Sequence, residues 1–258
     1  MTPEELYRYD VNGYMLIKGA VDPEAMLRLN AHVDAWQEKA RGDFQKIEPG
    51  KNQEVRYNDV INQDAAFIEL VANPRVLPYL AEMVERPRLK STWIAFKWRG
   101  GRTNLHSNHT PSVTHNFYHF NGQIRHNLLN MLYAFNDIKP GGGGLQVIPG
   151  SHKANYPRVQ GDDVSDMLVE LTMEAGDVLL FSHDIAHCSQ NDSDEVRRTV
   201  MYTYCPCAIA NSMGGDGLYE RIFNEATEGS WFKYLTRRPS GAAETYPRPE
   251  SLPVLETA

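Results

Sequence analysis

The residues whose types and spacing could do chemistry together lie between positions 176 and 203. Gly176-Asp177 opens an apolar run, Val178 to Phe181, which ends in Ser182 and His183; His187, Ser189 and Asn191 follow, and a second apolar segment starts at Arg197. Alternate residues of an extended strand share a face, so Arg197, Thr199, Met201 and Thr203 point one way and Arg198, Val200, Tyr202 and Tyr204 the other. A guanidinium fork and a hydroxyl two residues apart on an inward face would bind a carboxylate. The plainer alternative is a surface Arg197 paired with Glu195.

A second concentration of reactive side chains lies upstream. From Arg86 to Asn136 there is no Asp or Glu, yet the stretch carries Arg86, Arg88, Lys90, Lys97, Arg99, Arg102 and Arg125, and five of the nine histidines: His106, His109, His115, His119 and His126. The chain as a whole is acidic, with net charge −7, which argues against a general nucleic-acid binder. No run of 18 apolar residues suggests a membrane span, and the polar Met1 to Asp10 does not read as a signal peptide. Three cysteines, Cys188, Cys205 and Cys207, do not make a disulfide framework. The cytoplasm is therefore the default compartment. Homo-oligomerisation is left open.

The elements that must position these groups follow from periodicity. Thr2-Pro3-Glu4-Glu5 is a capped helix start, ended by Asn12-Gly13 before a short strand at Tyr14 to Ile17. Asp22-Pro23-Glu24 starts a second helix whose Met26, Leu29, Val33 and Trp36 form one buried stripe, ending near Arg41-Gly42. Residues 43 to 62 read as polar and irregular, and helical patterns follow at 64–72 and 74–84. From Leu89 onward the period is that of strands: Leu89 to Trp98, Leu128 to Phe135 (buried on both faces), Val147-Ile148, Val169 to Met173, Val178 to Phe181 and Val196 to Cys205. Helices followed by many short strands suggest a β-sandwich or barrel buttressed by helices. The tail from Tyr219 to Leu235 reads as helical.

The most specific run is Gly143-Gly144-Leu145-Gln146-Val147-Ile148-Pro149-Gly150-Ser151-His152. With Gly176-Asp177, His187, Asn191 and Arg197 behind it in that order, the sequence resembles the phytanoyl-CoA dioxygenase family of non-haem iron(II)- and 2-oxoglutarate-dependent oxygenases. The resemblance covers roughly residues 10 to 210 and is strongest over 132 to 204. It implies a single domain, residues 1–258, mostly β with flanking helices. A double-stranded β-helix (jelly-roll, cupin-like) core would span 88–210, with a helical N-terminal part at 1–86 packed on it and a helical tail at 211–258. It also implies Fe(II), 2-oxoglutarate and O2 as cofactors. The reaction would be hydroxylation or a related C–H oxidation of a small metabolite or natural product, with release of succinate and CO2.

In that family His-x-Asp and a distal His hold the iron and leave three positions open. Carried over residue by residue, the distal ligand is His187. Ser189 and Arg197 would grip the far carboxylate of 2-oxoglutarate, with Thr199 beside them and Arg198 on the other face. The proximal pair departs from the pattern: Leu105-His106-Ser107-Asn108-His109 has Asn where the carboxylate should be. The expected metal and catalytic set is thus His106, Asn108 and His187. Asn108 could ligate through its amide oxygen, or could inactivate the site. A halogenase-type variant is a weaker reading, because Asn does not vacate the space a halide needs; His109 could also swing in as a third ligand. The literal His32-Val33-Asp34 lies in the second helix and reads as coincidence, while His183 would support His187.

His115, His119 and His126 fall in an insertion, either a solvated loop or a substrate lid. His109, Arg102, Arg125 and Asn130 are the expected substrate contacts, and the basic residues favour an anionic small molecule. Asn127 and Tyr133 share the face opposite to Asn130, so all three cannot enter one pocket. A non-catalytic member of the same scaffold is the competing class. The lost carboxylate favours it, and joint retention of His106, His187, Ser189 and Arg197 speaks against it. A cupin-like metal enzyme without 2-oxoglutarate is a third.

Overall fold

A computed structural model describes residues 1–48, 50–107, 116–156, 163–210, 219–240 and 247–251. Helix α1 (Pro3–Asn12) starts at a capping box: Thr2 accepts from the Glu5 backbone, and Glu5 reaches back to the Thr2 N–H. Gly13, at φ 80°, ends it by donating to the Tyr9 carbonyl. Strand β1 (Tyr14–Ile17) follows, then α2 (Pro23–Phe44), capped by Asp22 and burying Met26, Leu29, Val33 and Trp36. The expected stop near Arg41-Gly42 is overrun to Phe44, whose ring stacks on Trp98 at 4.4 Å.

The stretch 43–62 is not irregular throughout. It contains β2 (Glu54–Asn58) and α3 (Val60–Gln63). A 3-10 helix (Ala65–Leu70) and α4 (Leu77–Met83) stand where the two further helical patterns are expected.

The strands are β3 (Pro87–Lys97), β4 (Arg102–His106), β5 (Phe117–Phe120), β6 (Gln123–His126), β7 (Leu129–Ala134), β8 (Gln146–Val147), β9 (Val169–Glu170), β10 (Val178–Ser182), β11 (His187–Gln190) and β12 (Arg197–Pro206). They form a six-stranded sheet, β1-β10-β7-β12-β3-β2, a four-stranded sheet, β4-β11-β8-β9, and the hairpin β5-β6. The paired strands run antiparallel. This is the jelly-roll arrangement. Helices α5 (Glu220–Glu225) and α6 (Trp231–Thr236) account for the helical tail.

Each face of the large sheet has its own core. Outward, Met131, Tyr133, Leu180, Val200, Tyr202, Ile94 and Phe96 join Leu29, Val33 and Phe67 of the helical layer. Three tyrosines fasten that layer: Tyr133, Tyr202 and Tyr204 donate to the carbonyls of Leu70, Phe67 and Val71. Inward, Leu132, Ala134, Leu179, Phe181 and Met201 meet Leu145 and Val147 of the small sheet. Tyr133 therefore points away from the space between the sheets. Within the insertion, residues 117–126 form the β5-β6 hairpin rather than a plain loop.

Candidate metal and co-substrate site

The antiparallel register of β4 and β11 sets His106 directly opposite His187. Their rings lie 4.2 Å apart, centroid to centroid. In each ring Nδ1 lies 2.8 Å from a backbone carbonyl, that of Asn104 for His106 and that of Ile185 for His187. A carbonyl can only accept, so Nδ1 carries the proton and the lone pair stays on Nε2. Burial, together with the neighbouring His106, lowers His187 to about 4, so this imidazole is neutral at ordinary pH. Two imidazoles with Nδ1 committed to backbone carbonyls, facing one cavity, fit a divalent metal. Among the described residues no three His, Cys, Asp or Glu side chains cluster as a ligand set. Asn108, expected as the third ligand, lies outside the described residues, as do His109 and His115.

The other end of the cavity is cationic. Glu54, Lys97 and Arg197 stand side by side in the register of β2, β3 and β12. Arg197 is 4% exposed and donates through Nη1 to the Gly143 carbonyl at 2.8 Å; its Nε has no hydrogen-bond partner among the described residues. Arg197 thus points inward, rather than to the surface with Glu195. Lys97 Nζ donates to Ser189 Oγ at 2.5 Å and Thr103 Oγ1 at 3.0 Å. It also faces Glu54 at 2.9 Å, an ion pair whose carboxylate oxygen sits off the hydrogen-bond axis. Thr199 is fully buried and its hydroxyl has no partner among the described residues. His106, His187, Ser189, Arg197, Thr103 and Glu54 line one cavity of about 110 Å³. On its wall the Arg56 guanidinium lies over the Trp93 ring at 4.3 Å.

The motif residues hold this geometry. Gly143 has φ +82°, and a side chain there would press on Asn191 and Arg197; a Cβ on Gly144 would come 2.3 Å from the Leu171 carbonyl oxygen. Buried Asn191 donates to the carbonyls of Lys97 and Glu195, joining the end of β3 to the turn before β12. Asp177 accepts from the backbones of Gly19 and Glu174. Asp184 accepts from the backbones of Asn116 and Phe117, fixing the start of β5.

Of the remaining expected contacts, Asn130 faces inward. It joins Thr203 and His183 in one chain, with Thr203 Oγ1 donating to Asn130 Oδ1 at 2.9 Å and Asn130 Nδ2 2.9 Å from His183 Nδ1. Arg102 is exposed at the start of β4 opposite Gln190, and is not among the residues lining the cavity. Arg125 donates to the Glu82 carbonyl and to Gln123, and lines a separate cavity beside α1. The two histidines and Arg197 thus come together, while Arg102 and Arg125 stand apart from them. His32 Nδ1 lies 3.0 Å from an Asp64 carboxylate oxygen and Asp34 pairs with Arg198, so that His-x-Asp serves contacts between elements. The three thiols are free. Sequence reasoning missed Glu54, Thr103 and the role of Lys97. The available signal was a Lys in phase with Trp93 and Ala95, directly after the apolar run Trp93 to Phe96.

Comparison with known proteins agrees with this architecture. The model of the phytanoyl-CoA dioxygenase (PhyH) family matches residues 9–199. The "Dioxygenase FUM3" of Gibberella moniliformis is 24% identical over 223 residues, 80% of this chain and 73% of that protein. HygX from Streptomyces hygroscopicus, solved with nickel, 2-oxoglutarate and hygromycin B, superposes with TM-score 0.66 at 20% identity, over 84% of this chain and 92% of its own. The epimerase SnoN, solved with Fe3+, alpha-ketoglutarate and nogalamycin RO, gives TM-score 0.60 at 16% identity, over 81% and 85%. The structural likenesses are likenesses of fold. The family match covers most of the chain and carries the class with it: this protein belongs to the phytanoyl-CoA dioxygenase family, dioxygenases that use Fe(II), 2-oxoglutarate and O2.

Proposed function

We propose that this protein holds iron(II) through His106 and His187, with Asn108 completing the set through its amide oxygen, and oxidises a C–H bond of a small, anionic metabolite or natural product. The observation that carries this reading is the pair of apposed imidazoles, each with Nδ1 on a carbonyl, in a cavity whose other end is Arg197. The bound metal, with 2-oxoglutarate and O2, supplies the oxidising chemistry; the chain binds, orients and excludes water. Arg197, Ser189 and Thr199 hold the far carboxylate. Asn130, tied to His183 and Thr203 on the inward face, contacts the substrate, and so does His109, three residues beyond the end of β4. Related C–H oxidations such as desaturation or ring formation would use the same residues. That HygX was solved with hygromycin B and SnoN with nogalamycin RO supports a natural-product substrate.

Asn108 favours a second reading, a non-catalytic member of the family, since one negative charge is missing from the metal set. Anaerobic titration with iron(II) and 2-oxoglutarate separates the two. The expected result is a visible charge-transfer band in the natural chain and a stronger one in Asn108→Asp. A band in Asn108→Asp alone makes Asn108 a disabling residue, and no band in either removes the metal assignment.

A further inference from the structure

Lys97 is fully buried behind the cavity, while both hydroxyls it touches line the cavity. An ammonium has three protons and no lone pair, and a hydroxyl has one proton and two lone pairs. Lys97 therefore occupies a lone pair on Ser189 Oγ and one on Thr103 Oγ1, and the proton of each hydroxyl is left for a ligand. Glu54 lies 2.9 Å from Nζ and cancels its charge. With that pair balanced, Arg197, and Arg56 on the cavity wall, are left to meet an anionic ligand.

We propose that Lys97 is a positioning residue that makes Ser189 and Thr103 hydrogen-bond donors to the far carboxylate of a 2-oxo diacid, with Glu54 as its charge partner. The inference rests on the reading of this cavity as the 2-oxoglutarate site. Burial and the nearby Arg197 pull Lys97 down to about 8, against the opposing pull of Glu54, so the ammonium in this pocket depends on its carboxylate partner.

The test compares two ligands, 2-oxoglutarate and 2-oxobutyrate, which has the chelating end and no far carboxylate. Each is titrated anaerobically into the full-length protein with iron(II), and binding is read by calorimetry. Lys97→Met should weaken 2-oxoglutarate by about a hundredfold, because neither hydroxyl is held with its proton toward the ligand and Glu54 is left free to repel it. The double variant Glu54→Gln/Lys97→Met strands no charge and guards against misfolding; it should still bind 2-oxoglutarate about tenfold more weakly than the natural chain. Iron and 2-oxobutyrate should bind all three proteins alike. Equal losses for both 2-oxo acids would make Lys97 merely structural, and full recovery in the double variant would reduce it to a counter-charge for Glu54; either overturns the proposal. Failure of the natural chain to bind either acid overturns the cavity assignment itself.

Discussion

Arg197 and Lys97 are neighbours of like charge on adjacent strands, and their difference lies in what they touch. Lys97 is matched by Glu54, whereas among the described residues Arg197 donates from Nη1 to the Gly143 carbonyl and has no partner at Nε. Removing Arg197 therefore leaves a balanced pair behind, and the loss should fall on the ligand. Two charge-assisted hydrogen bonds contribute about 1.5–3 kcal/mol each. Arg197→Ala is expected to weaken 2-oxoglutarate by at least about a hundredfold while iron affinity changes little, as anaerobic calorimetry with each would show. Unchanged 2-oxoglutarate binding would place the co-substrate elsewhere.

At the scale of elements, the Gly143-Gly144 pair is where the chain crosses closest to itself near the site. A methyl group on Gly144 would come 2.3 Å from the Leu171 carbonyl oxygen, so the approach to β8 must move. Gly144→Ala should cost roughly 1–3 kcal/mol, seen as a lower denaturant midpoint at unchanged slope. The legibility of the elements follows the same physics. The apolar runs of β7 and β12 and the caps of α1 and α2 were readable, because burial and capping leave residue-type signals. Strand β2 was hidden because its inward residues, Glu54 and Arg56, are polar: alternation is sought as an apolar inner face, and here the inner face is the site. The hairpin β5-β6 was hidden for a related reason, since Tyr118 and Phe120 are exposed and mark no buried side. His106, His187 and Arg197 came from a motif with fixed order. Lys97 and Glu54 belong to no such motif, and only the register joins them.

Across the whole molecule, buried histidines tie stability to pH. His126 is fully buried, 2.9 Å from the Tyr9 hydroxyl, and burial lowers it from 6.5 to about 3. His152, packed on Phe117, is lowered to about 4, again chiefly by burial. Above about pH 6.5 neither the folded nor the unfolded chain protonates these rings, and their contribution is whole. As pH falls from there toward 4 and then 3, the unfolded chain takes protons that the folded one refuses. For His126 the loss is about 1.4 kcal/mol per pH unit. Thermal melts between pH 7 and 4 should show a falling midpoint, and His126→Phe should flatten the slope. A midpoint that does not fall with pH would contradict the burial of these rings. The sheet order has its own consequence for the metal. His187 sits on β11, held between β4 and β8, whereas β4, which carries His106, is the edge of its sheet among the described residues. A metal between the two rings would act as a cross-strand stitch at the sheet margin, so filling the site and ordering that margin become one event.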